Sequence, residues 1–134
     1  MKQSSKSEAG RWLLQAERDI DDARYNLEGK RFNLVCFLSQ QAAEKAIKGF
    51  LLSRGVEFVW GHSVGELCRE AAGFEEKFAH LIHLGSALDK FYIPSRYPNG
   101  LPGGIPSDAF TQEEAESAIE YATKIIKQAE EFVR

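Results

Sequence analysis

Apolar side chains recur every three or four residues along most of the chain, which is the spacing of one face of an α-helix. In the first segment this series consists of Ala9, Leu13, Ala16, Ile20, Ala23 and Leu27. The pattern predicts a first helix that ends near Glu28, because Gly29 follows as a left-handed terminator.

Two further long helices are predicted by the same periodicity, one over about 33–54 and one from Thr111 onward. The first of these has a wide apolar arc with three alanines at its middle, which indicates a central position in the fold. Its other, polar side carries Gln40, Gln41, Glu44, Lys45 and Lys48. The last helix opens with Thr111 and Glu114, which have the spacing of a capping box.

Two shorter helices are predicted between the long ones. The first begins at Ser63, a suitable cap with Glu66 three residues later, and it ends at Gly73. The second carries an apolar face from Phe78 to Tyr92 and is stopped by Pro94. Since no long alternating strand pattern occurs, we predict an all-α fold: an antiparallel up-and-down bundle of four to five helices, with no sheet and one domain over 1–134.

All four prolines lie between residues 93 and 110, together with three glycines. This composition predicts a long loop without helix, and loops of that length are usually functional or disordered. Ser95, Arg96 and Tyr97 lie between two of the prolines, so a guanidinium and an aromatic ring would be presented to an anion or nucleotide on stiff backbone. The alternative is that Arg96 pairs with a helix carboxylate and Tyr97 packs on the bundle.

Three more side chains are candidate ligand contacts: His62, Lys45 and Lys48. His62 directly precedes the Ser63 cap, so its imidazole either caps backbone or points into a site, and capping is the favoured role. The two lysines either meet a phosphate or are simply solvated, as most surface lysines are.

A metal site is not predicted. Glu76, His80 and His83 share one helical face, but that face lies opposite the apolar stripe of the same helix. A di-metal bundle also requires repeated Glu-x-x-His pairs, which the chain lacks. We therefore expect neither a metal nor another cofactor.

Composition narrows the class of protein. The 17 basic and 20 acidic residues give a net charge of −3, which argues against broad electrostatic capture of duplex nucleic acid. No run approaches the roughly 18 apolar residues of a membrane span, and the polar start of the chain shows no signal peptide, so we expect a cytoplasmic protein without a membrane contact. Cys36 and Cys68 lie within apolar helical patterns, which predicts buried, reduced thiols.

Three segments together resemble the HEPN domain family. They are the run Gln40-Gln41-Ala42-Ala43-Glu44-Lys45-Ala46-Ile47-Lys48, His62 at the start of the third helix, and Tyr92-Ile93-Pro94-Ser95-Arg96-Tyr97-Pro98. The chain looks like the stand-alone HEPN proteins encoded beside a minimal nucleotidyltransferase, a pair that often behaves as toxin and antitoxin. The resemblance implies a homodimer with its polar motif near the cleft between protomers, and a nucleotide or RNA as ligand. Trp12, Phe37 and Trp60, which fit imperfectly into one bundle, agree with a dimer.

One departure from the family pattern bears on activity. Many HEPN proteins are metal-independent ribonucleases in which an Arg is followed, after four to six residues, by a His. Arg96 matches the Arg, but Leu101, Pro102 and Gly103 occupy the possible His positions. The favoured hypothesis is therefore a nucleotide- or RNA-binding dimer that acts with a minimal nucleotidyltransferase. The alternatives are a ribonuclease toxin in which His62 or a tyrosine replaces the missing His, and a structural helical adaptor.

Overall fold

The computed structural model describes residues 5–133, which form six α-helices and no strand. The three long helices are α1 (Ser5–Glu28), α2 (Phe32–Ser53) and α6 (Gln112–Val133). The three short ones are α3 (Val64–Ala72), α4 (Ile82–Asp89) and α5 (Pro106–Ala109). The all-α class predicted from the periodicity is confirmed.

Helix α2 is the centre of the bundle and contacts the five other helices. The alanines at its middle are fully buried, and so are the alanines along the inner stripes of α1 and α6. Small side chains on all three long helices allow their backbones to approach closely, and leucine, isoleucine and phenylalanine side chains fill the rest of the core. The apolar stripes predicted for α1, α3 and α6 form the observed core.

Helices α3 and α4 lie unusually close together, because a glycine on each removes the side chain from the contact. A β-carbon at Gly85 would lie 2.8 Å from the backbone nitrogen of Gly65, which is closer than real atoms approach. The carboxylate of Asp89, at the end of α4, accepts hydrogen bonds of 2.6 Å from both the Ser63 hydroxyl and the Val64 N–H. Asp89 thus caps the N-terminus of α3 and ties the two helices together.

The region of the predicted fourth helix and of the loop differs from expectation. The helix is divided into a 3-10 segment, Glu76–Leu81, and α4, which ends before Pro94 is reached. The expectation that the proline-rich loop contains no helix is wrong, since Pro98–Gly100 forms a 3-10 turn and Pro106–Ala109 forms α5. Each begins with a proline, whose fixed φ and missing N–H suit the first turn of a helix.

Several local predictions are confirmed. Glu114 accepts a 3.0 Å hydrogen bond from the Thr111 N–H and donates its own N–H to the Thr111 hydroxyl at 3.1 Å, which completes the capping box of α6. Cys36 and Cys68 are buried free thiols. Within residues 5–133, no helix has the length and apolar character that crossing a membrane requires.

Candidate functional site

Gln40, Glu44 and Lys48, on the polar side predicted for α2, are all buried, so the alternative that Lys48 is simply solvated is wrong. Their four-residue spacing aligns them along one stripe of the helix. The segment that leads into α3 crosses this stripe, since the Gln40 amide donates a 3.0 Å hydrogen bond to the His62 carbonyl oxygen. A tertiary contact therefore covers polar residues that the periodicity alone assigns to solvent.

Glu44 is the hub of this buried network. Its Oε2 accepts hydrogen bonds from Lys48 Nζ at 2.9 Å and His62 Nδ1 at 3.1 Å, and its Oε1 accepts from the Gln40 amide at 3.1 Å. Lys48 thus compensates the buried carboxylate, which would otherwise be costly. The favoured expectation that the His62 ring caps backbone is wrong, because the ring bonds Glu44 and Ser63 provides the cap of α3.

The contact with Glu44 also fixes the tautomer of His62. A carboxylate accepts only from an N–H, so Nδ1 carries the proton and Nε2 is the unprotonated nitrogen of the neutral ring. The side chain of His62 is 57% exposed although its partner is buried. An oriented imidazole is therefore presented at the surface by an interior carboxylate.

Tyr92 brings His62 and Arg96 together. The rings of His62 and Tyr92 are nearly parallel, with an 18° angle and 4.7 Å between centroids. The Arg96 guanidinium carbon lies 4.7 Å from the Tyr92 ring centroid, 4.4 Å from that of Phe37 and 5.0 Å from that of Tyr97. We call Arg96, Tyr92, His62 and Glu44 the Tyr92 cluster.

The chain between α4 and the loop places Arg96 directly. Arg96 is four residues after Tyr92, and its Nε donates a 2.9 Å hydrogen bond to the Tyr92 carbonyl oxygen. In the described part of the chain no carboxylate pairs with Arg96, and the Tyr97 ring is half exposed. The guanidinium is thus held by rings and by backbone, which leaves its positive charge uncompensated by a neighbouring anion.

The chain matches the HEPN domain model over residues 9–132. It belongs to the HEPN domain family. Among solved structures it is similar to TT1696 from Thermus thermophilus, with 38% identity, a TM-score of 0.83 and coverage of 92% of this chain and 97% of that one. It is also similar to ST0689, an archaeal HEPN homologue, with 36% identity, a TM-score of 0.79 and full coverage of both chains.

A curated relative adds a functional direction. This HEPN protein is 26% identical to the Methanocaldococcus jannaschii protein named Putative toxin MJ1304, over 92% of this chain and 86% of that one. The resemblance stated from three sequence segments is therefore confirmed at the level of the family.

The six residues predicted to contact a ligand fall into two groups in this HEPN protein. His62, Arg96 and Tyr97 lie around Tyr92, and Lys48 is joined to them through Glu44. Ser95 is buried, with its hydroxyl donating to the Phe91 carbonyl oxygen and its own carbonyl accepting from Asn33. Lys45 pairs with Asp19 on α1 at 2.5 Å. Ser95 and Lys45 thus contribute to the fold around the cluster.

Sequence reasoning did not single out Tyr92 and Glu44 as site residues, although both lie within the segments that resemble the family. One signal for them is the four-residue spacing from Tyr92 to Arg96 and from Gln40 through Glu44 to Lys48. In α2 that spacing aligns Gln40, Glu44 and Lys48 on one helical stripe. In the turn after α4 it brings the Arg96 Nε to the Tyr92 carbonyl oxygen.

Two other groups that could carry chemistry are located differently. Glu76, His80 and His83 are all exposed, and within residues 5–133 no three His, Cys, Asp or Glu side chains are grouped as metal ligands. Burial, reinforced by Glu114, raises the pKa of Cys36 to about 12, and burial together with Asp89 raises the pKa of Cys68 to about 12. Both thiols stay protonated near neutral pH, so neither is an activated nucleophile.

Proposed function

We propose that this HEPN protein binds a nucleotide or single-stranded RNA at the Tyr92 cluster, with Arg96 contacting a phosphate. The observation that carries the proposal is the guanidinium of Arg96, which lies on three aromatic rings without a carboxylate partner among the described residues. A guanidinium fork matches two phosphate oxygens, and aromatic support holds it in place without neutralising it.

The neighbours of Arg96 suit the rest of a nucleotide. Tyr97 is exposed and can stack on a base, since stacking on aromatic rings is the common mode of single-strand recognition. Within the same Tyr92 cluster, the ring of His62 stacks on Tyr92 and presents a nitrogen that can bond a phosphate or ribose hydroxyl oxygen. The net charge of −3 agrees with a local phosphate site rather than a broad basic surface.

Calorimetric titration with ATP and with a short single-stranded RNA tests this proposal. We expect Arg96→Ala to weaken binding roughly 10-fold to 100-fold, the loss that follows removal of a charge-assisted hydrogen bond. Arg96→Lys should recover only part of the affinity, because an ammonium lacks the planar fork. The matched control is Arg54→Ala, which removes another arginine that lies on aromatic rings. Equal affinity of the Arg96→Ala and wild-type proteins would contradict the proposal.

The proposal includes the assembly in which this site acts. We propose a cytoplasmic homodimer that pairs with a minimal nucleotidyltransferase as a toxin–antitoxin system. The support is the family, together with the name of the MJ1304 relative. Sedimentation of the purified protein at micromolar concentration should give a dimer, and a monomer would contradict this part. Co-expression with the product of the neighbouring reading frame should yield a complex that contains a nucleotidyltransferase.

A second candidate is metal-independent cleavage of RNA, because the fold supplies a histidine that the motif after Arg96 lacks. The contact with Glu44 leaves Nε2 of His62 free to take a proton from a ribose 2′-hydroxyl. The 2′-oxygen then attacks the phosphorus, Arg96 stabilises the added negative charge, and the 5′-oxygen leaves with the proton from the imidazolium. The products are a 2′,3′-cyclic phosphate and a free 5′-hydroxyl.

Incubation of labelled RNA with the protein and excess chelator separates this candidate from binding alone. Cleavage should occur in the wild-type protein and be lost in both His62→Gln and Arg96→Ala, while Arg54→Ala should retain it. If the RNA binds but stays intact, the binding proposal stands and cleavage is excluded. Failure of both binding and cleavage would favour the structural adaptor.

A further inference from the structure

A second concave site lies on the surface beside the Tyr92 cluster. It is an open pocket of about 310 Å³ whose apolar wall contains Trp12 of α1, Leu52 of α2, and Phe58 and Trp60 of the segment between α2 and α3. The volume is at the lower end of the range for small-molecule sites. We call this site the tryptophan pocket, because both tryptophans of the chain line it.

The aromatic side chains of the tryptophan pocket are exposed to an unusual extent. Phe58 is 72% exposed and Trp60 is 81% exposed, and their rings are stacked with 6.2 Å between centroids and 28° between planes. Exposed aromatics grouped at a concavity are typical of a binding surface, because folding alone would favour their burial. Flat rings beside a pocket match a flat, apolar ligand.

The tryptophan pocket is linked to the Tyr92 cluster by hydrogen bonds to one buried carboxylate. Lys48 lines the pocket, and its Nζ bonds the same Oε2 atom of Glu44 that His62 Nδ1 bonds. Trp60 is also only two residues before His62 on the same segment. Because two residues span at most about 7 Å of chain, Trp60 and His62 lie within reach of neighbouring nucleotides of one strand.

The charges at the tryptophan pocket favour the base of a nucleotide over its phosphate. Glu8 and Glu57 line it; Glu8 pairs with Arg11 and Lys48 pairs with Glu44, so the Glu57 carboxylate adds negative charge to the pocket. Carboxylates repel phosphate but accept hydrogen bonds from the amino groups of bases. An aromatic peptide side chain would stack equally well but would leave the Glu57 carboxylate unused.

We propose that the tryptophan pocket binds one unstacked nucleobase that carries an amino group, from the nucleotide or RNA whose phosphate contacts Arg96. This rests on the proposed function, and it adds a base subsite to the phosphate contact at Arg96. The subsite predicts that part of the base dependence of the affinity requires Trp60, which stacking on Tyr97 alone does not.

The test compares a hexamer of adenosine RNA with an abasic ribose-phosphate strand of the same length, titrated into the full chain. Since both tryptophans line the pocket, their fluorescence reports occupancy directly. We expect the adenosine strand to change the fluorescence and to bind between about 5-fold and 150-fold more tightly than the abasic strand, as one base–aromatic stack provides. Trp60→Ala should lower this ratio of affinities to the part that stacking on Tyr97 provides, and Trp60→Phe should keep most of it.

The matched control is Tyr25→Ala, since Tyr25 is 78% exposed on α1 and does not line the pocket. An unchanged ratio in Trp60→Ala would overturn the subsite, while loss of binding in Arg96→Ala would still support the proposed function. Absence of any RNA binding by the wild-type protein would contradict both. If Trp60→Ala instead turns a dimer into a monomer at an unchanged ratio, the aromatic pair is a protein interface and the subsite is wrong.

Discussion

Two arginines lie on aromatic rings near the ends of α2, with nearly the same local geometry. After the C-terminal end, the guanidinium carbon of Arg54 is 4.8 Å from the Phe50 ring centroid and 5.8 Å from that of Phe132. At the other end, Arg96 lies 4.4 Å from the ring centroid of Phe37, the sixth residue of α2. Geometry between cation and ring does not distinguish the two.

The surroundings of the rings do distinguish them. Under Arg54, the Phe50, Phe78 and Phe132 rings pack on one another with centroids 4.4 to 6.1 Å apart, and none has a polar atom to offer a ligand. Under Arg96, two of the three rings are tyrosines and one of these also contacts His62. The cation on rings thus packs against an apolar core after the C-terminal end of α2, whereas at the other end it lies among side chains with polar atoms.

The largest expected effect is on the free energy of unfolding, through the phenylalanine rings beneath Arg54. We expect Phe50→Ala to lower the free energy of unfolding by about 3–5 kcal/mol, because it removes a fully buried ring and leaves a cavity. Urea unfolding measures this loss, and the smaller loss in Phe50→Leu is the control. The folded variant should bind RNA as the wild-type protein does. Weaker RNA binding by Phe50→Ala would show that the two ends are coupled.

Glu44→Ala should give the next largest effect, at the site end. We expect the free energy of unfolding to fall by about 3 kcal/mol, because Lys48 would remain buried without its partner. Adding Lys48→Met should restore part of the stability, since the second change removes the unpaired charge. RNA binding should stay weakened in the double variant, because His62 has lost its orienting carboxylate. If the losses of unfolding free energy in the two single variants simply add in the double variant, the buried Glu44–Lys48 pair is contradicted.

Alkaline pH should produce a smaller effect through the thiols. Burial raises the pKa of Cys36 and Cys68 to about 12 from 9.0, so the folded state keeps protons that the unfolded state releases. The contribution of the protonated thiols to the free energy of unfolding is fully present below pH 9 and is lost as the pH rises from 9 toward 12. At about pH 10 we expect the free energy of unfolding, measured with urea, to be lower by about 1 kcal/mol for each thiol. A Cys36→Ala, Cys68→Ala variant should lack this component, and an unchanged pH dependence would contradict it.

The smallest effect is expected for Lys77, which lies over Phe132 and bonds Glu131 at 2.6 Å. The hydrogen bond with Glu131 raises the pKa of Lys77 and lowers that of Glu131, but both side chains are exposed and screened by salt. Lys77→Ala should change the melting temperature only slightly at low salt, and not at all at about 1 M salt. A shift as large as that of Phe50→Ala would show that the pair is part of the core.

Most of the fold follows from local patterns, because apolar stripes, caps and proline positions are properties of short segments. The same logic fails for Gln40, Glu44 and Lys48: periodicity assigns polar residues to solvent, whereas a segment about 20 residues further along covers them. The covering segment is held by tertiary hydrogen bonds that no local pattern contains. The same limit applies to the division of the predicted fourth helix.

The site could be predicted only in part for the same reason. The sequence indicates Arg96 and His62 as ligand contacts because of their side-chain chemistry. Their proximity, however, depends on Tyr92, whose ring contacts both. Tyr92 has the apolar spacing of a core residue, so periodicity gives it a packing role. Glu44 has the appearance of an ordinary helical surface charge until the fold places His62 beside it.

The Asp89 cap has a consequence for both halves of the Tyr92 cluster. His62 directly precedes Ser63, which bonds Asp89, and Tyr92 follows Asp89 by three residues. The two halves of the Tyr92 cluster are therefore carried by one mechanically coupled unit, in which the Gly65–Gly85 contact leaves no room for sliding. Loss of the Asp89 carboxylate should therefore disturb His62 and Arg96 together, because Arg96 bonds the Tyr92 carbonyl oxygen.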